Sequence, residues 1–327
     1  MDNINLAVVG ATGLVGSKIL ELLDEYKFHL KTLKLFASKR SKGRKIKFQN
    51  KDIIVEELTE DSLKGFDAII FSAGSEVAKK YALIGEENKA IIIDNSSAFR
   101  SEKDIPLIVP EINISDFYHS ARRIIANPNC STIQAVIPIF AICKLYSLTK
   151  IVYSTYQAVS GFGMKGIYDL KTTQEGYDNE IFIDNISKTC IPEIGNYEED
   201  GYTSEEKKMI NETKKILHNE NIEITSTCVR VPVENGHGVS VYLEVKEDID
   251  LTKIEEVLKA QDGIIYIPYN DKHHYPTSIM ANNQDKVIVG RLKKGGNSHS
   301  LCFYCTGDNL RKGAAANALQ ILKLIHL

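Results

Sequence analysis

The segment Asn127–Thr132 surrounds a cysteine with the features that a nucleophile needs. It reads Asn-Pro-Asn-Cys-Ser-Thr, follows an apolar strand predicted over Arg123–Ala126 and opens an apolar helix predicted over Thr132–Leu145. A thiol at a helix N-terminus is favoured as thiolate, because the helix dipole and the unpaired N–H groups stabilise negative charge. The same N–H groups can stabilise an oxyanion. Cys130 is therefore the candidate nucleophile.

A thiolate nucleophile needs a group that manages protons, and His237 is the candidate among eight histidines. It lies in Glu234–Gly238, a tight glycine turn between strands predicted over Ile224–Val233 and Val239–Val245, and we expect that turn to expose its ring. Arg230 lies in the first of these strands. Its apolar neighbours favour a buried, anion-binding role over that of a solvated strand charge.

A glycine-rich turn near the N-terminus predicts a dinucleotide site. The turn Gly10–Gly16 reads Gly-Ala-Thr-Gly-Leu-Val-Gly, follows a strand predicted over Asn5–Val9 and leads into a helix predicted over Leu14–Tyr26. Glycines let the backbone approach a pyrophosphate, and the helix N-terminus offers it free N–H groups. The alternative is a turn that only packs strand on helix, and the strand-turn-helix context favours the cofactor.

The residues after the second strand indicate which dinucleotide binds. The strand predicted over Thr32–Ala37 is followed by Ser-Lys-Arg-Ser, where an NAD site usually has a carboxylate. A guanidinium and two hydroxyls suit a 2′-phosphate, so the sequence favours NADP(H). The basic stretch Lys39–Lys51 could instead bind nucleic acid. We give that reading little weight, because a single aromatic residue, Phe48, interleaves the charges and solvated loops are commonly basic.

Two domains must position these residues. The chain has 327 residues, 43% apolar and 25% charged, which excludes disordered, collagen-like and disulfide-stapled proteins. We predict an α/β fold: a Rossmann-like, doubly wound parallel sheet over residues 1–127, then an α+β catalytic and dimerisation domain with a mostly antiparallel sheet over 128–307. A C-terminal helix in 308–327, which Asp308 can cap, should return to the first domain.

Charge and cysteine content restrict the partners and the compartment. The formal net charge is −3, so no global field favours nucleic acid or an anionic membrane, and no apolar run is long enough to span a bilayer. The N-terminus leads directly into a strand without a leader, so we expect a cytoplasmic protein with free thiols. Metal at the lone Cys302–Cys305 pair is given little weight, and no metal site is expected. The remaining thiols are interpreted as buried core residues: Cys143, Cys190 and Cys228.

Together these features resemble the aspartate-semialdehyde dehydrogenase family, essentially end to end and in family order. Individually several of the motifs could be coincidence, but their joint order is specific. The segments that carry the resemblance are Gly10–Gly16, the Ser-Ser-Ala-Phe-Arg that ends at Arg100, Asn127–Thr132, Tyr156–Gly161, Gly201–Lys208, Arg230–Gly238 and Asp308–Gly313.

The resemblance implies the NADPH-dependent reductive dephosphorylation of L-4-aspartyl phosphate to L-aspartate 4-semialdehyde and phosphate, through a cysteine thioester. This reaction serves lysine and diaminopimelate, methionine, threonine and isoleucine biosynthesis. The family also implies a homodimer, with a homotetramer left open.

The resemblance further implies a role for each site residue. Cys130 would be the nucleophile, His237 the acid/base and Gln157 an orienter of the thioester. Arg230 would bind the substrate α-carboxylate and Glu205 the α-ammonium. Arg100 and Lys208 would bind phosphate. The residues implied to contact NADP are Gly10, Thr12, Gly13, Leu14, Val15, Arg40, Ser41, Ser160, Gly161 and Asn309.

The residues themselves leave some alternatives open. Glu205 and Lys208 lie three apart on one predicted helix face, so without the resemblance an ordinary ion pair is the simpler account. Two other functions remain: an N-acetyl-glutamyl-phosphate reductase, which typically has glycine before the cysteine and tyrosine after it, and a catalytically silent NADP-binding paralogue.

Two positions also depart from the family pattern, which commonly has Ser-Glu at Gly238–Val239 and often Ala-Gly where this chain has Phe162–Met164.

Overall fold

The computed structural model describes residues 2–272 and 275–325, which fall into two compact units. Unit 1 comprises the residues up to Pro128 together with those from Ala314 onward, and unit 2 comprises Asn129–Gly313. Within the described part of the chain no helix is both long and apolar enough to cross a membrane.

Unit 1 is built on a mostly parallel sheet with the strand order β3-β4-β2-β1-β5-β6-β7. The strands are β1 (Asp2–Val9), β2 (His29–Ala37), β3 (Lys45–Phe48), β4 (Lys51–Glu57), β5 (Ala68–Phe71), β6 (Ile91–Asp94) and β7 (Ile124–Ala126). The helices between them are α1 (Leu14–Glu25), α2 (Ser75–Glu87), α3 (Pro110–Asn113) and α4 (Asp116–His119). The central strands are short apolar runs buried on both faces, as expected for a parallel sheet covered by helices.

The register of the parallel strands brings the turns of unit 1 to one edge. Val9 of β1 pairs with Phe36 of β2 and with Phe71 of β5, and Phe71 in turn pairs with Asp94 of β6. The strands therefore end side by side, and the glycine turn after β1 lies at the carboxyl edge of the sheet. Ligands of doubly wound sheets bind at this edge.

The basic stretch Lys39–Lys51, which we interpreted as a solvated loop, contains regular structure. A short 3₁₀ turn covers Lys39–Ser41, and β3 then pairs antiparallel with β4 as a hairpin. Gln49 and Asn50 form the turn with φ values of 45° and 63°. The two-residue hairpin turns most recognisable in sequence contain glycine, so this pair gave no turn signal.

Unit 2 is built on a mixed sheet with the strand order β11-β12-β13-β10-β8-β9. Its strands are β8 (Leu148–Gln157), β9 (Glu223–Arg230), β10 (His237–Val245), β11 (Ile264–Ile267), β12 (Val287–Lys294) and β13 (Ser300–Gly307). Its helices are α5 (Cys130–Cys143), α6 (Met164–Gln174), α7 (Ser204–Ile216), α8 (Leu251–Ala260) and α9 (Ser278–Ala281). The central β13-β10-β8 pairings are antiparallel, whereas β9 joins β8 in parallel.

The two faces of the unit 2 sheet differ in burial. Along β8, Ile151 and Tyr153 are fully buried, and the hydroxyl of Tyr153 lies 3.1 Å from Thr213 Oγ1 of α7, whereas Val152 and Ser154 are only partly buried and Tyr156 is exposed. A strand residue points to the opposite face from its neighbours, so this alternation marks one covered face and one more open face.

The last helix, α10 (Ala316–Ile325), belongs to unit 1. Leu319 and Leu322 are fully buried in the same apolar core as Leu6 of β1 and Ile19 of α1. A π-helical turn, Arg311–Ala315, precedes α10. The predicted fold class is confirmed, including the return of the C-terminal helix to the first domain.

Asn317 provides a test of how α10 is anchored. Its buried amide donates hydrogen bonds to Ile108 O (3.0 Å) and to Asn127 Oδ1 (2.7 Å). Asn317→Ala should lower the free energy of unfolding by roughly 2 to 4 kcal/mol, because buried acceptors lose their donor. Urea denaturation measures this change, with Lys323→Ala on the exposed side of the same helix as control. An unchanged midpoint for Asn317→Ala would contradict the anchoring role.

Candidate active site

Cys130 lies at the N-terminus of α5, as predicted, and is its first residue, because the helix begins two residues earlier than the predicted Thr132; Asn129 is the N-cap. Asn129 Oδ1 accepts hydrogen bonds from the backbone N–H groups of Ser131 (2.9 Å) and Thr132 (3.3 Å). These bonds satisfy orphan donors of the first turn and fix its backbone. The thiol is therefore presented from a rigid helix start, where the dipole favours negative charge.

Two carboxylates from α7 hold Asn129 in place. Asn129 Nδ2 donates to Glu205 Oε1 at 2.8 Å, and Asn129 N–H donates to Glu212 Oε2 at 2.6 Å. Both glutamates are buried and lie seven residues apart, which is two turns along one face of the helix. Sequence reasoning missed Glu212, because only the fold brings it next to Asn129. The asparagine itself was recognisable as a typical N-cap residue.

The position of α7 is fixed by its own N-terminus. Thr203 and Glu206 form a capping box, in which the carboxylate accepts from Thr203 N–H at 2.7 Å. The other oxygen of Glu206 accepts from Cys228 N–H of β9 at 3.0 Å. The helix is thereby tied to the sheet that carries the other polar side chains of the site.

Glu205 is the shared acceptor of this cluster. Besides Asn129, it accepts from Gln157 Nε2 (3.3 Å) and pairs with Lys208 Nζ (3.0 Å). The intrahelical ion pair that the sequence left open is therefore present. It is not the whole role of Glu205, because the same carboxylate also orients the amide of Gln157.

The strand order explains why Gln157, Arg230 and His237 converge. β8 lies between β9 and β10, with Gln157 opposite Arg230 and Tyr156 opposite Gly238. The end of β8, the end of β9 and the start of β10 therefore meet at one edge of the sheet. Arg230 also interacts electrostatically with Glu205 and Cys130, so Cys130 belongs to the same cluster.

The backbone of one residue, Ala158, orients both the arginine and the histidine. Arg230 Nη1 donates to Ala158 O at 2.8 Å, and Ala158 N–H donates to His237 Nδ1 at 2.9 Å. Gly161 follows in the same turn. A Cβ at position 161 would lie 2.8 Å from Arg230 Nη1 and 3.2 Å from His237 Nε2, so only glycine fits there without displacing one of them.

The burial of these two side chains sets their electrostatics. Arg230 is 4% exposed, which confirms the predicted burial, and desolvation lowers its pKa. The prediction of an exposed His237 ring is wrong, because the residue begins β10 in the middle of the sheet and is fully buried. Desolvation and the nearby charge of Arg230 lower the pKa of His237 to about 3, while Glu205 acts in the opposite direction.

Ser160 and Asn309 form a small hydrogen-bond network beside Gly161. Asn309 Nδ2 donates to Ser160 Oγ at 2.8 Å, and Asn309 Oδ1 accepts from Gly236 N–H at 2.9 Å. The network links the turn after β8 to the turn before β10. It therefore brings together Ser160, Gly161 and Asn309, which the sequence analysis grouped as cofactor contacts.

The dinucleotide turn in unit 1 has the geometry that a pyrophosphate requires. Gly10 has φ of 81°, and a Cβ there would lie 2.3 Å from Ser72 O. Gly13 is the N-cap of α1, so the first N–H groups of the helix are not covered by a capping side chain. Thr12, Leu14 and Val15 complete the turn and the start of the helix. These residues fit a dinucleotide phosphate.

The residues proposed for a 2′-phosphate follow β2. Arg40 is exposed and Ser41 is mostly buried in the 3₁₀ turn, which contains no carboxylate.

Arg100, also in unit 1, donates from Nε to Asn127 O (2.9 Å) and from Nη2 to Asn95 O (3.0 Å). Two backbone carbonyls thus fix the orientation of its guanidinium.

Family models and similar proteins agree on one assignment. Residues 138–312 match the model of the semialdehyde dehydrogenase dimerisation domain, and residues 5–119 match that of the semialdehyde dehydrogenase NAD binding domain. The aspartate-semialdehyde dehydrogenase of Aquifex aeolicus is 42% identical over 98% of this chain and 97% of that protein. That of Bacillus subtilis is 39% identical over 97% and 96%, respectively. The chain belongs to the aspartate-semialdehyde dehydrogenase family.

A solved structure supports the same conclusion for the fold. Aspartate semialdehyde dehydrogenase II of Vibrio cholerae, complexed with ASA, has a TM-score of 0.93 and 39% sequence identity, covering 99% of this chain and 98% of that chain. The family predicted from the sequence is confirmed.

The structure accounts for one departure from the family pattern. A Cβ at Gly238 would lie 1.8 Å from the hydroxyl of Tyr304 on the neighbouring strand β13. The tyrosine therefore occupies the space of a side chain at 238, where the aspartate-semialdehyde dehydrogenase pattern commonly has serine. At the second departure, the exposed ring of Phe162 packs against Phe182, with 5.5 Å between ring centroids.

The other cysteines differ in burial. Cys228 is buried and Cys143 is partly buried, and desolvation raises the pKa of each thiol to about 12. The interpretation of Cys190 as a buried core thiol is wrong, because it lies exposed in the irregular segment before α7. Across the described residues, no group of three or more His, Cys, Asp or Glu side chains could hold a metal ion.

Gly161→Ala tests the close approach of Arg230 and His237 to the turn. The added methyl group should displace both side chains and lower the free energy of unfolding by about 1 to 3 kcal/mol, as overpacking does. The imidazole NMR signals of His237 should shift. Gly296→Ala is the matched control, because a Cβ there meets nothing within 4 Å. If Gly161→Ala and Gly296→Ala behave alike, the packing described for this turn is incorrect.

Proposed function

We propose that this chain catalyses the reductive dephosphorylation of L-4-aspartyl phosphate by NADPH, giving L-aspartate 4-semialdehyde and phosphate. Membership of the aspartate-semialdehyde dehydrogenase family confirms the enzyme class predicted from the sequence. The single observation in the structure that carries the proposal is the position of Cys130, capped by Asn129 and in one cluster with Arg230 and Glu205. A catalytically silent paralogue has no need of this arrangement.

Cys130 supplies the nucleophile. Its thiolate attacks the acyl carbon of the substrate, the bond from that carbon to the phosphate oxygen breaks, and phosphate leaves. The product of this step is a thioester on Cys130. The dipole of α5 and the positive charge of Arg230 favour the thiolate.

Arg230 is suited to the substrate α-carboxylate. Within the described residues its guanidinium donates a single protein hydrogen bond, to Ala158 O, although the side chain is almost completely buried. A buried guanidinium with remaining N–H groups favours a planar anion that accepts two of them. Gln157, oriented by Glu205, would position the thioester.

The other charged groups match the rest of the substrate. Glu205 contributes the negative charge that an α-ammonium group requires. Lys208, paired with Glu205, and Arg100, fixed by two backbone carbonyls, would bind phosphate. At least two cationic groups and one anionic group are needed for a substrate with phosphate, carboxylate and ammonium groups, and this chain provides them.

When bound, NADPH would supply a hydride to the acyl carbon of the thioester, and the bond from that carbon to Cys130 Sγ would break, which releases the aldehyde and the thiolate. The turn from Gly10 to Val15 would hold its pyrophosphate, and Arg40 with Ser41 would hold its 2′-phosphate. By the family resemblance, Ser160, Gly161 and Asn309 would also contact the cofactor. We therefore assign NADP binding to residues 1–127, catalysis and dimerisation to residues 128–307, and support of the first domain to the helix in residues 308–327.

The more open face of the unit 2 sheet supports a homodimer. It presents Val152, Ser154 and Tyr156 of β8, with Tyr304 packed against Tyr156 at 6.2 Å between ring centroids. Such a face can be covered by the same face of a second copy, which gives a two-fold symmetric interface.

We propose the cytoplasm as the compartment, because the six cysteines are all free thiols.

The activity is tested by phosphate-dependent reduction of NADP with aspartate semialdehyde, run beside N-acetylglutamate semialdehyde. We expect turnover with the first aldehyde and a loss of roughly 10³-fold or more in Cys130→Ala. Cys190→Ala is the matched control and should retain full activity, because that thiol is exposed and outside the site. Preference for N-acetylglutamate semialdehyde would instead support the reductase alternative, which the comparisons do not favour.

A further inference from the structure

The π-helical turn Arg311–Ala315 contains a glycine that packs against the candidate nucleophile. A Cβ built on Gly313 would lie 2.7 Å from Cys130 Cβ and 3.2 Å from Cys130 Cα. Two carbon atoms in ordinary contact need about 3.5 to 4.0 Å. An alanine at position 313 would therefore fit only if the turn or Cys130 moved by roughly 1 Å. The backbone of Gly313 thus lies directly beside the carbon that carries Sγ.

The turn that carries Gly313 is held by local hydrogen bonds. Gly313 N–H donates to Asp308 O, five residues earlier, at 2.9 Å, which is the hydrogen-bond pattern of a π-helix. The carboxylate of Asp308 adds a cap, because its Oδ1 accepts from the N–H groups of Leu310 and Arg311, each at 3.0 Å. These bonds fix the backbone between the end of β13 and Gly313.

A neighbouring segment of unit 2 holds the same turn from outside. The other carboxylate oxygen of Asp308 accepts from Asn283 N–H at 2.9 Å, and Arg311 Nε donates to Asp285 Oδ1 at 2.6 Å. Asp308 and Arg311 are both buried. Separation of a buried charged group from its partner is strongly destabilising, so the turn resists displacement.

Cys130 is the partner that we expect to yield to an added methyl group. It is the first residue of α5, and helix ends fray more readily than helix interiors. The clash would involve Cβ and Cα of Cys130, so rotation of the side chain about the Cα–Cβ bond cannot relieve it. The start of the helix would have to shift, and Sγ would shift with it.

We propose that Gly313 is a positioning residue for the nucleophile. Because it has no side chain, the π-helical turn can pack against Cys130 and hold Sγ where it attacks the acyl carbon. The reaction at that carbon rests on the proposed function, whereas the contact itself does not. Reacting atoms must lie about 3 to 3.5 Å apart in the bound substrate, and a misplacement of about 1 Å can cost roughly 10²-fold in rate.

Gly313→Ala tests the positioning role in the aspartate semialdehyde assay. We expect kcat to fall by about 10²-fold, with a change in KM for the aldehyde of less than about threefold, because Arg230 keeps its own contacts. Gly85→Ala is the matched control for overpacking, because a Cβ there would lie 2.7 Å from Ile92 Cδ1 in unit 1. Wild-type kcat in Gly313→Ala, or an equal loss of kcat in both folded variants, would overturn the inference.

Alkylation by iodoacetamide tests the contact without turnover. Mass spectrometry of the peptide that contains Cys130 gives the rate constant, which we expect to fall about three- to tenfold at pH 7 in Gly313→Ala, because the sulfur leaves its place at the helix N-terminus. Gly85→Ala should keep the wild-type rate. An unchanged rate in Gly313→Ala would contradict the proposal. The expected difference in a protein that does not turn over aspartate semialdehyde would support the positioning of Cys130 and count against the proposed function alone.

A double variant decides the case in which Gly313→Ala does not fold. Cys130→Gly removes the Cβ that the added methyl group would meet at 2.7 Å. Gly313→Ala should therefore lower the midpoint of urea denaturation less in the Cys130→Gly protein than in the wild type. If Gly313→Ala alone does not fold, the double variant should. An equal cost in both backgrounds, or a double variant that also fails to fold, would show that Cys130 is not the residue that Gly313 accommodates.

Discussion

The amide of Asn129 is the contact on which the candidate site depends. Its side-chain oxygen caps the helix that begins with Cys130. Its side-chain and backbone N–H groups donate to Glu205 and Glu212 of α7, respectively. The cap fixes where the thiol lies, and the glutamates fix where the cap lies. Loss of either would release the first turn of α5, and with it the alignment of Cys130 with the helix dipole that favours a thiolate.

The arrangement requires several charged groups to be buried together. Glu205, Glu212 and Arg230 are each less than about one-tenth exposed, and burial of a charge is costly unless hydrogen bonds and opposite charges compensate it. Among the partners of Glu205 are Asn129, Gln157 and Lys208. Glu212 accepts from a backbone N–H, and Arg230 donates to a carbonyl. Among the described residues, Nε2 of His237 has no hydrogen-bond partner and the guanidinium of Arg230 donates a single hydrogen bond, so both can bind a substrate with anionic oxygens.

Features that depend on residues close together in the sequence could be predicted from the sequence alone. The start of α5, the glycine turn after β1 and the burial of Arg230 follow from residue types within a few positions. The burial of His237 did not follow, because β9 and β10 pair with β8 rather than with each other, and no local pattern reveals an inserted strand. Glu212 was missed for the same reason, since its partner lies 83 residues away in sequence. The hairpin of β3 and β4 lacked a glycine signal at its turn.

The central claim is that Cys130 becomes acylated by the substrate. It is tested most directly by mass spectrometry of the protein mixed with L-4-aspartyl phosphate in the absence of NADPH and quenched in acid. The account predicts an aspartyl adduct on the peptide that contains Cys130, and none in Cys130→Ser. An unmodified Cys130 in wild-type protein that turns over with NADPH would contradict the account.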